Sequence, residues 1–320
     1  MQPQTILIFI LIITAVSYVF DQLLDYINLK SQRKDIPKEI ESFYEKEKYL
    51  KSLAYNSERT KFSFLTSAFS FLLSVLMLVF GGFGWLDGLL RNYVENEILL
   101  ALSFFAVVML ASDILTIPFQ WYSIFVIEEK YGFNKTTVRT FITDKLKGYA
   151  LGAIVGGGLL ALLIYLVMTI GPSFWIWFSI IAAVFILFIN MFYTSLILPL
   201  FNKLTPLQDG ELKKAIEDFS GKVNFPLDNI FIIDGSKRSK KANAFFSGIG
   251  RKKKIVLYDT LISNHTTEEL VAVLAHEVGH FKKKHIIWGY VLSVSQIVLT
   301  LFVLSLMVFK ENLSLALGGS

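Results

Sequence analysis

Six stretches of the chain are apolar without helical or strand alternation: 5–20, 63–84, 98–119, 149–170, 174–198 and 286–309. A bilayer core about 30 Å thick is crossed by roughly 20 apolar residues of helix, so each stretch predicts a membrane span. The first is the shortest. It is read as a span and not as a cleaved leader, because "MQPQT" ahead of it holds no Lys or Arg and no small-residue cleavage site follows. Between 202 and 285 the pattern changes. "ELKKAIEDFSGKV" (211–223) has helical periodicity. "NIFIID" (229–234), "NAFFS" (243–247) and "KIVLY" (254–258) read as short strands. Gly248 and Gly250 with the "RKKK" run predict a turn joining the last two as a hairpin. "TTEELVAVLAHEVGHFKKKH" (266–285) predicts a helix, with Thr266 as cap and Glu269 completing a capping box. It has the composition to run on into the span at 286.

Charge orients this picture. Segments 21–62, 120–148 and 199–285 hold 29 of the 31 basic residues, and they alternate with segments that hold almost none. Positive charge marks the cytoplasmic side, so these three are expected in the cytoplasm and the N-terminus outside. The formal charge of +5 thus has a membrane explanation, and no nucleic-acid partner is expected. Hydrophobic residues make up 54% of the 320, above the usual fraction for soluble domains. There is no cysteine, which excludes disulfides and thiolate ligands and leaves His, Asp and Glu to hold any metal.

Three of the four histidines lie in "VLAHEVGHFKKKH" (273–285). On a helix, His276 and His280 project from one face one turn apart, and both imidazoles can reach one Zn²⁺ at about 2.0–2.1 Å. Glu277 stands about 100° round from His276, placed to take a proton from water at the metal and pass it to a leaving amine. Gly279 lowers helix stability by roughly 1 kcal/mol against Ala, which suggests close packing there, against a strand. The competing reading is a chance pentapeptide on an amphipathic helix. A peptidase zinc normally takes three protein ligands. Downstream of His280 only His285 and Glu311 remain. His285 lies about 500° round a continuous helix, off the His276/His280 face, and Glu311 lies about 36 Å along it. An upstream carboxylate such as Asp259 or Glu128 is an open alternative. The expectation is that a missing C-terminal part supplies the ligand.

"FVIEEKYGFN" (125–134), "LPLFNKLTPL" (198–207), "GSKRSKKANAFFSG" (235–248), "KIVLYDTL" (254–261) and "LAHEVGHFKKKH" (274–285) resemble, in order, blocks of the Ste24-type CAAX prenyl proteases, integral-membrane members of the M48 zinc metallopeptidases. The resemblance implies one Zn²⁺ per chain on His276 and His280, with Glu277 as catalytic base. It implies seven spans around an intramembrane chamber, and a third ligand, a glutamate in a motif like ExxADxFA, that this chain lacks. It also implies that "NAFF" is a substrate-binding edge strand, with Asn243, Ala244 and Phe245 along the cleft. The alternative is an ordinary hairpin with Phe245 or Phe246 in a small core.

The expected fold class is mainly α: a multi-pass transmembrane helical protein with about six spans and a small cytoplasmic α+β zinc-peptidase region. The expected domains are a five-span membrane region (1–201), a catalytic region (202–285), and a sixth span with a tail (286–320). The expected function is a zinc metalloendopeptidase that removes the -aaX tripeptide from a prenylated CAAX peptide or protein, in contact with membrane lipid. The membrane would be the endoplasmic reticulum in a eukaryote or the inner membrane in a bacterium. Two other readings are a peptidase of the same chemistry that clears damaged membrane proteins, and a catalytically incomplete membrane scaffold. Asp113, Asn190 and Gln296 fall inside spans, where polar groups face a partner or a water-filled cavity. Lys237, Arg238, Lys240 and Lys241 suit either a substrate carboxylate or anionic lipid. Glu128 and Glu129 are read as scaffolding and His265 as a loop residue; His285, which recurs in the family pattern, is read as a solvated helix position, the alternative being a supporting role behind the metal ligands.

Overall fold

The computed structural model describes residues 1–225, 229–247 and 254–319, without the side chains of Asn229, Phe246, Ser247 and Phe281. The turn expected at 248–253 lies outside them. In chain order the first helices are α1 (Pro3–Lys30), α2 (Lys46–Val79), α3 (Gly82–Arg91), α4 (Glu97–Tyr122), α5 (Val138–Leu151), α6 (Gly157–Ile170), α7 (Phe174–Leu196) and α8 (Leu198–Phe201). Then come β1 (Leu204–Pro206), α9 (Glu211–Lys222), β2 (Asn229–Ile233), β3 (Ala244–Ser247) and β4 (Lys254–Tyr258). The chain continues through α10 (Asp259–Asn264), α11 (Thr267–Lys282), α12 (His285–Met307) and α13 (Glu311–Ala316).

Among the described residues, five helical runs are long and apolar enough to cross a membrane, the fourth being the 64-residue run Val138–Phe201. That run folds back on itself. Gly171 takes a left-handed φ of 67°, which glycine adopts without a Cβ penalty, and the tight turn Gly171–Ser173 follows. Leu162, Leu163 and Leu166 of α6 then pack on Phe174 and Phe178 of α7. The apolar faces of the runs are largely bare, as at Ile13 (66% exposed) and Leu292 (67%). Exposed apolar surface on this scale is what lipid covers.

By packing, the chain divides into residues 1–132 with 306–320, and 133–305. In the first unit α1 and α2 meet through stacked Tyr18 and Phe71 rings and a Gln22–Ser67 hydrogen bond of 3.0 Å. Glu128 accepts a hydrogen bond from the Tyr55 hydroxyl. Glu58 accepts from Lys130 at 2.7 Å and from Tyr131 at 2.8 Å, and the bond to that carboxylate holds the Tyr131 hydroxyl above its ordinary pKa. Glu128 therefore serves as a brace. Asp113 accepts from Gln120 Nε2 at 3.1 Å along its own helix. In the second unit Asn190 donates to the Ile186 carbonyl at 2.9 Å, the same local solution.

The second unit holds a four-stranded sheet of order β1-β2-β4-β3. β2 and β4 run parallel, and the outer strands β1 and β3 pair antiparallel with them. Alternation along the strands gives two faces. Ile255 and Leu257 point to a core with Ile216 of α9 and Leu270, Leu274 and Val278 of α11. Ile233 and Val256 point to the other side, onto Leu198. Within the second unit, segment 133–144 is tied to the loop after β2. Lys135 N–H donates to the Arg238 carbonyl (3.0 Å) and Lys240 N–H to the Phe133 carbonyl (3.0 Å).

Arg238 grips Asp144 with two bonds of 2.7 and 2.8 Å and the Phe201 carbonyl at 2.8 Å. This forked, partly buried pairing accounts for Arg238 as a clamp, so neither a substrate carboxylate nor lipid is needed to explain it. Lys241 lies over the Phe133 ring, 5.1 Å from its centroid. Arg238→Ala is expected to destabilise the protein by about 2 kcal/mol, the loss of hydrogen bonds to a charged group, read as a lowered thermal melting midpoint in detergent.

Candidate metal centre

The site is built on α11. Its entry is fixed by reciprocal bonds: Thr266 N–H donates to Glu269 Oε2 at 2.8 Å, and Glu269 N–H donates to Thr266 Oγ1 at 3.3 Å. This is the expected capping box, which satisfies two N–H groups at the helix start. Leu270, Leu274 and Val278, spaced by four, are buried against the sheet and α9. Burying that stripe turns the opposite face outward. His276 and His280 on it are exposed, and Glu277 beside them is half-buried.

The two rings meet. His276 Nε2 and His280 Nε2 are 3.0 Å apart, with ring centroids at 4.7 Å. That separation is less than twice an about 2.0–2.1 Å zinc–nitrogen bond, so one ion can touch both nitrogens. The donor set fits a metal of the zinc type on its chemistry: two imidazoles, open to water, with a carboxylate on the adjacent residue.

Three expectations change here. The helix does not run on into the next span. α11 ends at Lys282, Lys284 takes a left-handed φ of 57°, and α12 starts at His285. Consequently His285 is not off the histidine face: its Nδ1 lies 2.7 Å from His280 Nδ1. The 500° separation holds only for an unbroken helix. Gly279 is not closely packed either, since a Cβ added there meets nothing within 4 Å. Gly279→Ala is thus expected to fold normally and to gain up to about 1 kcal/mol of helix stability, read as an unchanged or raised thermal midpoint.

Among the described residues, no group of three His, Asp or Glu side chains is placed to hold one ion. Asp259, an upstream alternative, is committed elsewhere. It accepts from the N–H groups of Ser236 (2.9 Å) and Thr260 (2.8 Å) and from the Ser236 hydroxyl. Its carboxylate ties the start of α10 to the turn Gly235–Lys237. His265 Nδ1 lies 2.9 Å from the Leu261 carbonyl at the end of α10, away from any ligand role.

β3 is an edge strand, with β4 on one side. Ala244 packs on the core cluster that contains α11 residues, and Asn243 is exposed with its Oδ1 accepting from Ala244 N–H at 2.9 Å. Phe245 packs on the opposite face, with Val256, Ile233 and Leu198. Its side chain is partly buried there, on the face of the sheet away from α11.

Comparison with known proteins agrees with this architecture. A family model described as the CAAX prenyl protease N-terminal region with five membrane helices matches residues 25–203, and one for peptidase family M48 matches residues 206–316. A CAAX prenyl protease 1 homolog of Arabidopsis thaliana is 40% identical over 289 residues, covering 86% of this chain and 67% of the plant protein. CAAX prenyl protease 1 of Saccharomyces cerevisiae is 37% identical over 264 residues, covering 79% of this chain and 58% of the yeast protein. The crystal structure of S. mikatae Ste24p superposes with a TM-score of 0.90 at 31% identity, covering 99% of this chain and 74% of that one. With both family models matching in order over almost the whole chain, and with its apolar runs and HExxH helix in place, this multi-pass membrane protein belongs to the Ste24-type CAAX prenyl proteases, metallopeptidases of family M48.

Proposed function

We propose that the chain acts as a zinc endopeptidase on prenylated CAAX peptides, removing the three residues after the lipid-bearing cysteine. His276 and His280 would hold one Zn²⁺, and Glu277 would carry the proton. The observation that bears most weight is the pair of Nε2 atoms 3.0 Å apart on an exposed helix face with a carboxylate on the next residue. Bound zinc would polarise the scissile carbonyl and bring the pKa of water toward about 7.

The protein's own groups do the rest. Glu277 accepts the proton of the attacking water as the new C–O bond forms. It returns that proton to the amine nitrogen as the C–N bond breaks, so no charge is stranded. β3, last in the sheet order, would give an extended peptide a backbone to add to as a further strand. Its lipid would lie against the apolar helices. The alternation of basic segments supports a cytoplasmic position for the catalytic region, at the endoplasmic reticulum in a eukaryote or the inner membrane in a bacterium.

The test is cleavage of a farnesylated CAAX peptide beside its unprenylated counterpart, with Glu277→Gln as control. Cleavage of the farnesylated peptide alone, lost in the control, supports the proposal. Equal cleavage of both peptides, or an active control, contradicts it. Asn243→Ala is expected to keep the fold and lower kcat/KM by about 5–10-fold, the effect of one hydrogen bond at the strand start.

A further inference from the structure

The break between α11 and α12 has a chemical result. It brings His285, from the far side of a turn, against the one edge of His280 that does not face His276. His280 Nε2 is 3.0 Å from His276 and His280 Nδ1 is 2.7 Å from His285 Nδ1, with ring centroids of the second pair at 4.9 Å. In an imidazole these two nitrogens point away from each other, so His285 cannot share an ion held between His276 and His280. It sits behind the ligand.

We propose that His285 is a positioning residue for the metal site. His280 carries its proton on Nδ1 and donates it to the bare Nδ1 of His285, which leaves His280 Nε2 unprotonated and aimed at the ion. This inference rests on the reading of His276 and His280 as metal ligands. A ring nitrogen that donates to a fixed acceptor has its tautomer and orientation set, and it becomes a better ligand. The acceptor is usually a carboxylate or carbonyl; here a second imidazole takes that place.

The backbone supports the assignment. Lys284 adopts φ 57°, a conformation that a residue with a Cβ seldom takes. That single reversal starts α12 with His285 already turned back toward α11. A straight continuation would have carried His285 away from His280 and left Nδ1 facing solvent. Both rings are exposed, so substitutions at 285 remove no core contact.

The experiment uses the full chain in detergent and two readouts. Zinc affinity is measured by competition with a chromophoric chelator. The protonation of each ring nitrogen is read from two-bond ¹⁵N–¹H correlations of ¹⁵N-histidine-labelled protein without metal; with four histidines in the chain, single variants assign every signal. His285→Ala is expected to weaken zinc binding by about 10–100-fold and to remove the Nδ1–H preference of His280. His285→Asn places an amide oxygen near the lost Nδ1 and is expected to restore the tautomer and most of the affinity.

Unchanged affinity and tautomer in His285→Ala overturn the proposal, as does His285→Asn behaving like His285→Ala. A His285→Ala loss as complete as that of His276→Ala makes His285 a ligand and also overturns it. If His276→Ala leaves zinc binding unchanged, the underlying metal reading has failed and this one with it. If His276→Ala abolishes zinc while His285→Ala does nothing, only the positioning role is lost.

Discussion

Glu277→Gln is expected to abolish peptide cleavage while leaving zinc bound. The amide is nearly the same size as the carboxylate, and the residue is half-buried at the edge of the exposed histidine face, so the fold has no reason to change. What disappears is the group that accepts a proton from water and hands it to the departing amine. Positioned general acid–base catalysis contributes about 10²–10⁴-fold, and because the same carboxylate acts in both proton transfers the upper part of that range is expected. The check pairs turnover of a farnesylated peptide with zinc content by atomic absorption. Equal loss of metal and turnover would assign Glu277 a structural role.

His276→Ala and His280→Ala are expected to act one step earlier, removing the metal itself. Each Nε2 has the other as its near neighbour at 3.0 Å, and among the described residues no third donor joins them. Loss of either ring therefore leaves a single imidazole. Removing even an outer partner of a ligand lowers affinity by about 10–100-fold, so removing a ligand should exceed that and bring zinc below detection in dialysed protein. The two variants should behave alike, and secondary structure by circular dichroism should be unchanged, since the buried stripe of α11 is Leu270, Leu274 and Val278. A normal zinc content in either variant would move the metal elsewhere.

Much of this site is readable from local pattern. HEVGH needs only helical spacing to bring two rings together, and Thr266 with Glu269 marks the helix start through bonds that span three residues. β2, β3 and β4 carry enough β-branched and aromatic residues to be recognised one by one. What pattern does not carry is long-range or against propensity. β1, three residues including a proline, has no strand signal and exists because it pairs with β2. The parallel pairing of β2 with β4 is a topological outcome. Arg238 finds its partner Asp144 at a distance of 94 residues in sequence, and nothing local distinguishes it from the neighbouring lysines.

The break at Lys283–Lys284 is the most consequential of these. Lysine is a good helix former, and a run of three ahead of an apolar block reads as an uninterrupted helix. No glycine or proline marks the turn. The left-handed Lys284 could not be anticipated, and with it went the position of His285. Gly279 shows the opposite case, a helix-weakening residue that suggests close packing where the structure leaves open space.

The account stands or falls on whether one ion sits between two imidazoles on α11. X-ray absorption at the zinc edge of the metal-loaded chain tests this most directly. The account predicts a first shell containing two imidazole nitrogens at about 2.0–2.1 Å, and no zinc edge in dialysed His276→Ala. A wild-type shell of oxygen atoms alone, without the outer scattering of histidine rings, would contradict it.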